Sequence, residues 1–171
     1  MAVIINPWPL FIAPAMGGFG IGAGFEYAFH PFFSIKPYTQ IWYLNPRDWN
    51  EEVTASLFMF RFSTEARWYP LGNFVNGLFT NLGLQYHHIN ASANFFENAA
   101  SGSFNTLSIF WGVGNKFIWG RGRAAFLFEP ALGWAWDLAT SMPSLGPGDY
   151  FLGSLLGIRG FRYSLNLGVA F

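Results

Sequence analysis

Arg162-Tyr163-Ser164-Leu165-Asn166-Leu167-Gly168-Val169-Ala170-Phe171 is the stretch whose reading decides the fold. Tyr163, Leu165, Leu167, Val169 and Phe171 fall on one parity, and Arg162, Ser164, Asn166, Gly168 and Ala170 on the other. Unbroken period-two alternation is the pattern of a strand with one apolar and one polar face. An edge strand of a soluble β-sandwich carries the same alternation. In water, though, a terminal strand frays, and a Phe at its very end gains little. In the hydrocarbon of a membrane the same strand closes a barrel, with its aromatic end at an interface. The remainder of the chain favours the barrel.

Composition points the same way. Aromatic residues make up 21% of the 171 residues and charged residues 11%, against about 25% charged in ordinary soluble chains. Much of the surface therefore meets something other than water. The length fits one domain spanning residues 1–171, enough for eight strands and their connections. Nine basic and nine acidic residues cancel, which gives no electrostatic footprint for a nucleic-acid partner. Without cysteine there is neither a disulfide framework nor a thiolate metal site. The first 25 residues carry no charged side chain. Pro7, Pro9, Pro14 and the glycines from Gly17 to Gly24 rule out a stable helix there. The stretch also lacks the basic start of a signal peptide, so the expectation is a mature chain whose export signal has been removed. A closed barrel then remains as the way to satisfy backbone hydrogen bonds in lipid.

Taken in order, the chain divides into eight alternating segments. Val3 to about Ala13 is the weakest, broken by prolines. Phe19–Phe29 places aromatic and aliphatic residues on odd positions, with glycines and Glu26 on even ones. Phe32–Leu44 sets Phe33, Ile35, Ile41 and Tyr43 against Ser34, Lys36 and Gln40. Val53–Tyr69 sets Phe58, Phe60, Phe62, Ala66 and Trp68 against Arg61, Ser63, Glu65 and Arg67. Val75–His88, Phe104–Phe117, Ala124–Trp136 and the closing stretch continue the pattern. Short connections fall at His30-Pro31, Pro70–Asn73 and Trp119–Gly122, and long ones at 45–52, 90–103 and 138–161. Trp68-Tyr69 and Trp119 lie by short turns, whereas Trp42-Tyr43, Tyr86, Trp134 and Trp136 lie by long loops. This is the distribution of two aromatic belts.

The alternation of short and long connections, together with the terminal strand, resembles the small bacterial outer-membrane barrels of the OmpA/OmpW type across the whole chain. That resemblance implies an all-β, eight-stranded, antiparallel, up-and-down transmembrane β-barrel in a Gram-negative outer membrane, with both termini periplasmic. It implies outer-membrane lipid and the barrel-assembly machinery as partners, the latter reading Tyr163, Leu165, Leu167, Val169 and Phe171. Other envelope proteins are further expected partners. Three functions stay open under it: a structural or interaction role through surface loops or within an envelope assembly, a narrow channel for small hydrophobic molecules, and a lipid-modifying enzyme.

The polar strand faces carry Glu26, Lys36, Arg61, Glu65, Arg67, Lys116, Glu129 and Arg162. In an eight-stranded barrel they point into an interior that side chains fill. Buried acids and bases pair there because lone charges are costly. The expectation is a charge network that plugs the lumen, rather than an ion path or catalytic carboxylates. The enzyme reading is weak. His87 and His88 are adjacent and face opposite sides of a strand, and His88 has no Ser two residues away to match the lipid A deacylase pattern. A histidine metal site fails on the same geometry. No enzyme activity, cofactor or metal is expected.

Overall fold

The computed structural model describes residues 1–15, 17–45, 53–71, 77–95, 98–120, 124–141 and 160–171. They form strands β1 (Ala2–Asn6), β2 (Phe19–His30), β3 (Phe33–Leu44), β4 (Val53–Trp68), β5 (Gly77–Phe95), β6 (Asn98–Trp119), β7 (Ala125–Thr140) and β8 (Gly160–Ala170), with one helix, α1 (Trp8–Ala15). Each strand pairs antiparallel with the next, and β1 pairs with β8 to close the barrel. The seam runs Ala2↔Ala170, Val3↔Val169, Ile4↔Gly168 and Ile5↔Leu167. Below it the Phe171 amide donates to the Met1 carbonyl at 2.8 Å. The end holding the termini, His30 and Trp119 is called lower here, and the opposite end upper.

Facing follows the parity of the sequence. Large apolar side chains point outward from all eight strands: Ile5, Phe25, Ile35, Phe62, Leu82, Trp111, Leu132 and Val169 are all exposed. Glu26, Lys36, Glu65, Arg67, Lys116, Glu129, Arg162 and Asn166 are buried inside.

Three expectations need correction. The first strand does not run from Val3 to Ala13, and the expectation of no helix in the first 25 residues fails with it, because β1 stops at Asn6 and α1 follows. Pro7 has no N–H to donate to a ladder, which ends the strand. Pro9 falls in the first helical turn, where N–H groups have no intrahelical partner, so the helix tolerates it. The helix turns into the barrel. Its Ala13 is buried against Trp42, Leu44, Met59 and Ile89, and a Cβ on Gly20 would overlap Pro9. Packing of this kind, rather than propensity, holds an eight-residue helix.

Of the stretch 90–103, residues 90–95 and 98–103 are strand rather than loop. β5 and β6 continue as one hairpin, from Asn90↔Ser103 up to Phe95↔Asn98. Small polar residues there leave no apolar alternation to read, yet the backbone ladder does not need one.

Two of the belt aromatics are interior residues. Trp42 is buried beneath α1, and Tyr69 is fully buried. Each is the inward neighbour of an outward aromatic, Tyr43 and Trp68. Of the other connections, 46–52, 72–76, 121–123 and 142–159 lie outside the described residues.

Candidate functional site

The interior is layered, because neighbouring strands place their inward residues side by side in the register. The lowest rung of interest is Ser34–Arg67–Asn81–Gly112, and the next up is Lys36–Glu65–Gly83–Phe110. Tyr38–Ser63–Gln85–Ser108 follows, then Gln40–Arg61–His87–Thr106, then the apolar rung Trp42–Met59–Ile89–Phe104.

Arg67 is the hub of the lower layers. Its Nη1 donates to Glu129 Oε2 at 2.6 Å and Glu26 Oε2 at 3.2 Å. Its Nη2 donates to Glu129 Oε1 at 2.8 Å and Glu65 Oε2 at 3.0 Å, and its Nε to Glu65 Oε2 at 3.1 Å. One planar fork thus joins all three carboxylates, which is geometry that lysine cannot reproduce. Its carbon also lies 4.4 Å from the centre of the Phe79 ring.

Each glutamate has further donors. Glu26 accepts from Lys116 Nζ, Ser34 Oγ and Tyr69 Oη, each at 2.5 Å, and Lys116 also donates to Tyr69 Oη at 2.7 Å. Glu129 accepts from Lys36 Nζ at 3.0 Å and Asn166 Nδ2 at 2.8 Å. Glu65 accepts from Arg162 Nη2 at 3.3 Å and Asn81 Nδ2 at 2.9 Å. Satisfying every carboxylate in this way is what makes buried charge tolerable.

Seven of the eight charged residues read from the sequence share this network: Glu26, Lys36, Glu65, Arg67, Lys116, Glu129 and Arg162. Arg61 does not. It lies two rungs above Glu65 on the same strand, 5.5 Å from the centre of the Tyr38 ring, and makes no ion pair among the described residues. Sequence reasoning missed the neutral partners Ser34, Tyr69, Asn81 and Asn166. Ser34, Asn81 and Asn166 sit on the polar parity of their strands and were legible as inward. Tyr69 was masked by its aromatic character.

Bulky interior rings fit because glycines face them. A Cβ on Gly83 would overlap the Phe110 ring and the Thr64 carbonyl oxygen. Apolar clusters close the lumen at both ends, with α1 and its partners above and Ala2, Ile4 and Leu127 below. His87 is buried and His88 lies on the other face, bonded to Asn105. No group of three metal-ligating side chains occurs among the described residues.

The fold and interior define a closed, eight-stranded antiparallel β-barrel whose lumen is filled by an ionic network. No protein-family model, curated protein or solved structure matches the chain.

Proposed function

We propose that this chain is an integral outer-membrane β-barrel whose plugged lumen serves as a rigid support, with its role exerted through the upper, extracellular side. The observation that carries this reading is the inversion of polarity, with a charged network inside and exposed apolar side chains outside on every strand. In water such a covering far exceeds the apolar patch a monomer exposes. In lipid it is the expected surface. The termini then lie on the periplasmic side, and Tyr163, Leu165, Leu167, Val169 and Phe171 act as the assembly signal. The interaction surface is the projecting β4–β5–β6 hairpin region. It carries an open groove of about 410 Å³ in which Ser56, Asn90, Ser92, Ser101 and Ser103 lie beside Phe58 and Ala91, suited to a partner of mixed polarity in the envelope.

The test has two arms. Exported in a Gram-negative host, the protein should fractionate with the outer membrane and resist alkaline extraction. Purified and placed in planar bilayers, it should give no stable, porin-sized conductance steps, because the Arg67 network blocks passage. Recovery as a soluble protein would refute the membrane reading, and large long-lived conductance would refute the plugged lumen.

A second reading, a narrow path for small hydrophobic molecules, is favoured by the wall itself. β1 reaches only Asn6, so beside Ser164 and Gly20 no described strand lies between β8 and β2. Such a path would enter from the side, above the network. Faster transfer of an apolar dye into proteoliposomes than into protein-free vesicles would promote it.

A further inference from the structure

Counted over the described inward-facing residues, the lumen holds five bases (Lys36, Arg61, Arg67, Lys116, Arg162) and three acids (Glu26, Glu65, Glu129). The acids are all engaged by the lower network. A fourth, Asp137, stands half-buried on β7 and accepts from Ser108 Oγ at 3.1 Å. Arg61 is 8% exposed and cannot shed its proton. Its Nε has no hydrogen-bond partner.

Its surroundings are polar, enclosed and unsatisfied. His87, directly opposite Arg61 in the ladder, is completely buried, and neither ring nitrogen has a partner. Ser63 Oγ, one rung below, is completely buried and also has none. Both Arg61 and Arg162 bear electrostatically on His87. Above lies the apolar lid of Trp42, Met59 and Ile89 with Ala13 of α1, and below lies the carboxylate network. The layer between therefore carries positive charge and unpartnered donors, with the unpartnered amide oxygen of Gln40 as an acceptor beside Arg61. A buried guanidinium without a counter-charge costs several kcal/mol. The donors present, namely the guanidinium, an imidazole N–H and a hydroxyl, are those that bind anions.

We infer that this layer is a binding site for one compact monovalent anion, a halide or an oxyanion of nitrate size, held between Arg61, His87 and Ser63. The anion must be compact, because the layer is bounded above by the Trp42, Met59 and Ile89 cluster and below by the carboxylate network. The site differs from the network below, whose anions are the protein's own carboxylates. It also stands whether or not the barrel spans a membrane.

Purified protein refolded in bromide and crystallised should show an anomalous peak within hydrogen-bonding reach of Arg61 and His87. Refolded protein should also show a thermal midpoint that rises saturably with bromide or nitrate at fixed ionic strength and fixed cation, and less with fluoride, whose tighter hydration opposes entry into a buried site. Arg61→Met removes the charge the anion neutralises, so it should fold while losing both the peak and the anion dependence. His87→Asn should weaken the dependence without abolishing folding. A site occupied by water alone in bromide, or an anion dependence unchanged in Arg61→Met, would overturn the inference. Should Arg61→Met fail to fold, the anomalous peak in the unaltered protein decides the matter alone.

Discussion

Two arginines six residues apart on β4 make a controlled comparison. Arg67→Met should destabilise the barrel strongly, and Arg61→Met should not. Arg67 makes five hydrogen bonds to three buried carboxylates, between 2.6 and 3.2 Å. At about 1.5–3 kcal/mol for each bond to a charged group, their sum would be about 7–15 kcal/mol. That sum overcounts, because Glu26 keeps Lys116, Glu129 keeps Lys36, and Glu65 keeps Arg162. Removing one partner of a buried pair costs about 3–5 kcal/mol. Three carboxylates lose the same partner here, so the upper end, about 5 kcal/mol, is expected. Arg61 makes no ion pair with a carboxylate among the described residues, and Met of similar length leaves no charge behind. Its replacement should be neutral or stabilising when no anion is bound, because it removes a buried, uncompensated charge. Equilibrium urea unfolding in lipid vesicles, followed by fluorescence of the eight tryptophans, reads the difference. With a slope of about 2 kcal/mol per molar urea, the Arg67→Met midpoint should fall by about 2.5 M. Arg67→Lys, which keeps charge but loses the fork, should fall between. Equal midpoints for Arg67→Met and the unaltered protein would refute the network as a source of stability. Equal losses at both arginines would refute the layering.

Other outcomes follow from the same geometry. Leu82 points outward and is 53% exposed, so Leu82→Arg should cost about 2–4 kcal/mol in lipid if it lies near the midplane; refolding that is unchanged would show that this face does not meet hydrocarbon. Gly83→Val forces a side chain into the Phe110 ring and the Thr64 carbonyl, and should cost about 1–3 kcal/mol by overpacking, read as a lowered urea midpoint. Deleting Phe171 should leave refolding of purified protein largely intact while lowering surface levels in cells, and equal levels would argue against its part in assembly.

Most of the wall was legible, because a strand's facing depends only on residue parity. Leu82 and Asn81, or Trp111 and Gly112, could be sorted without knowing a single partner. What could not be read depended on register or on packing. Tyr69 and Trp42 have the chemistry of a belt and the parity of the lumen, and parity won. α1 has no periodic stripe and contains Pro9 and Pro14. It exists because the upper mouth offers Trp42, Leu44 and Met59 to cover. The β5–β6 hairpin extends through Ser, Ala and Asn, which signal a loop while pairing well. Arg61 looked equivalent to Arg67 because charge and facing are sequence properties, whereas the height of a glutamate across the lumen is set by strand stagger.

That stagger also explains why the network sits where it does. β1 is five residues long and gives the seam only four registered pairs with β8. A barrel closed by so short a ladder needs another tie across the interior. The network draws a side chain from each of the other seven strands: Glu26, Lys36, Arg67, Asn81, Lys116, Glu129 and Arg162, from β2 to β8 in order. Asn166 and Arg162 of β8 bond to β7 and β4 respectively, so β8 is held from inside as well as along the wall. Arg67, bonded at once to β2, to β7 and to a carboxylate of its own strand, spans the lumen. The charges therefore do what an apolar core does in a soluble domain. They connect elements distant in sequence, and they do so in a cylinder most of whose large apolar residues face outward.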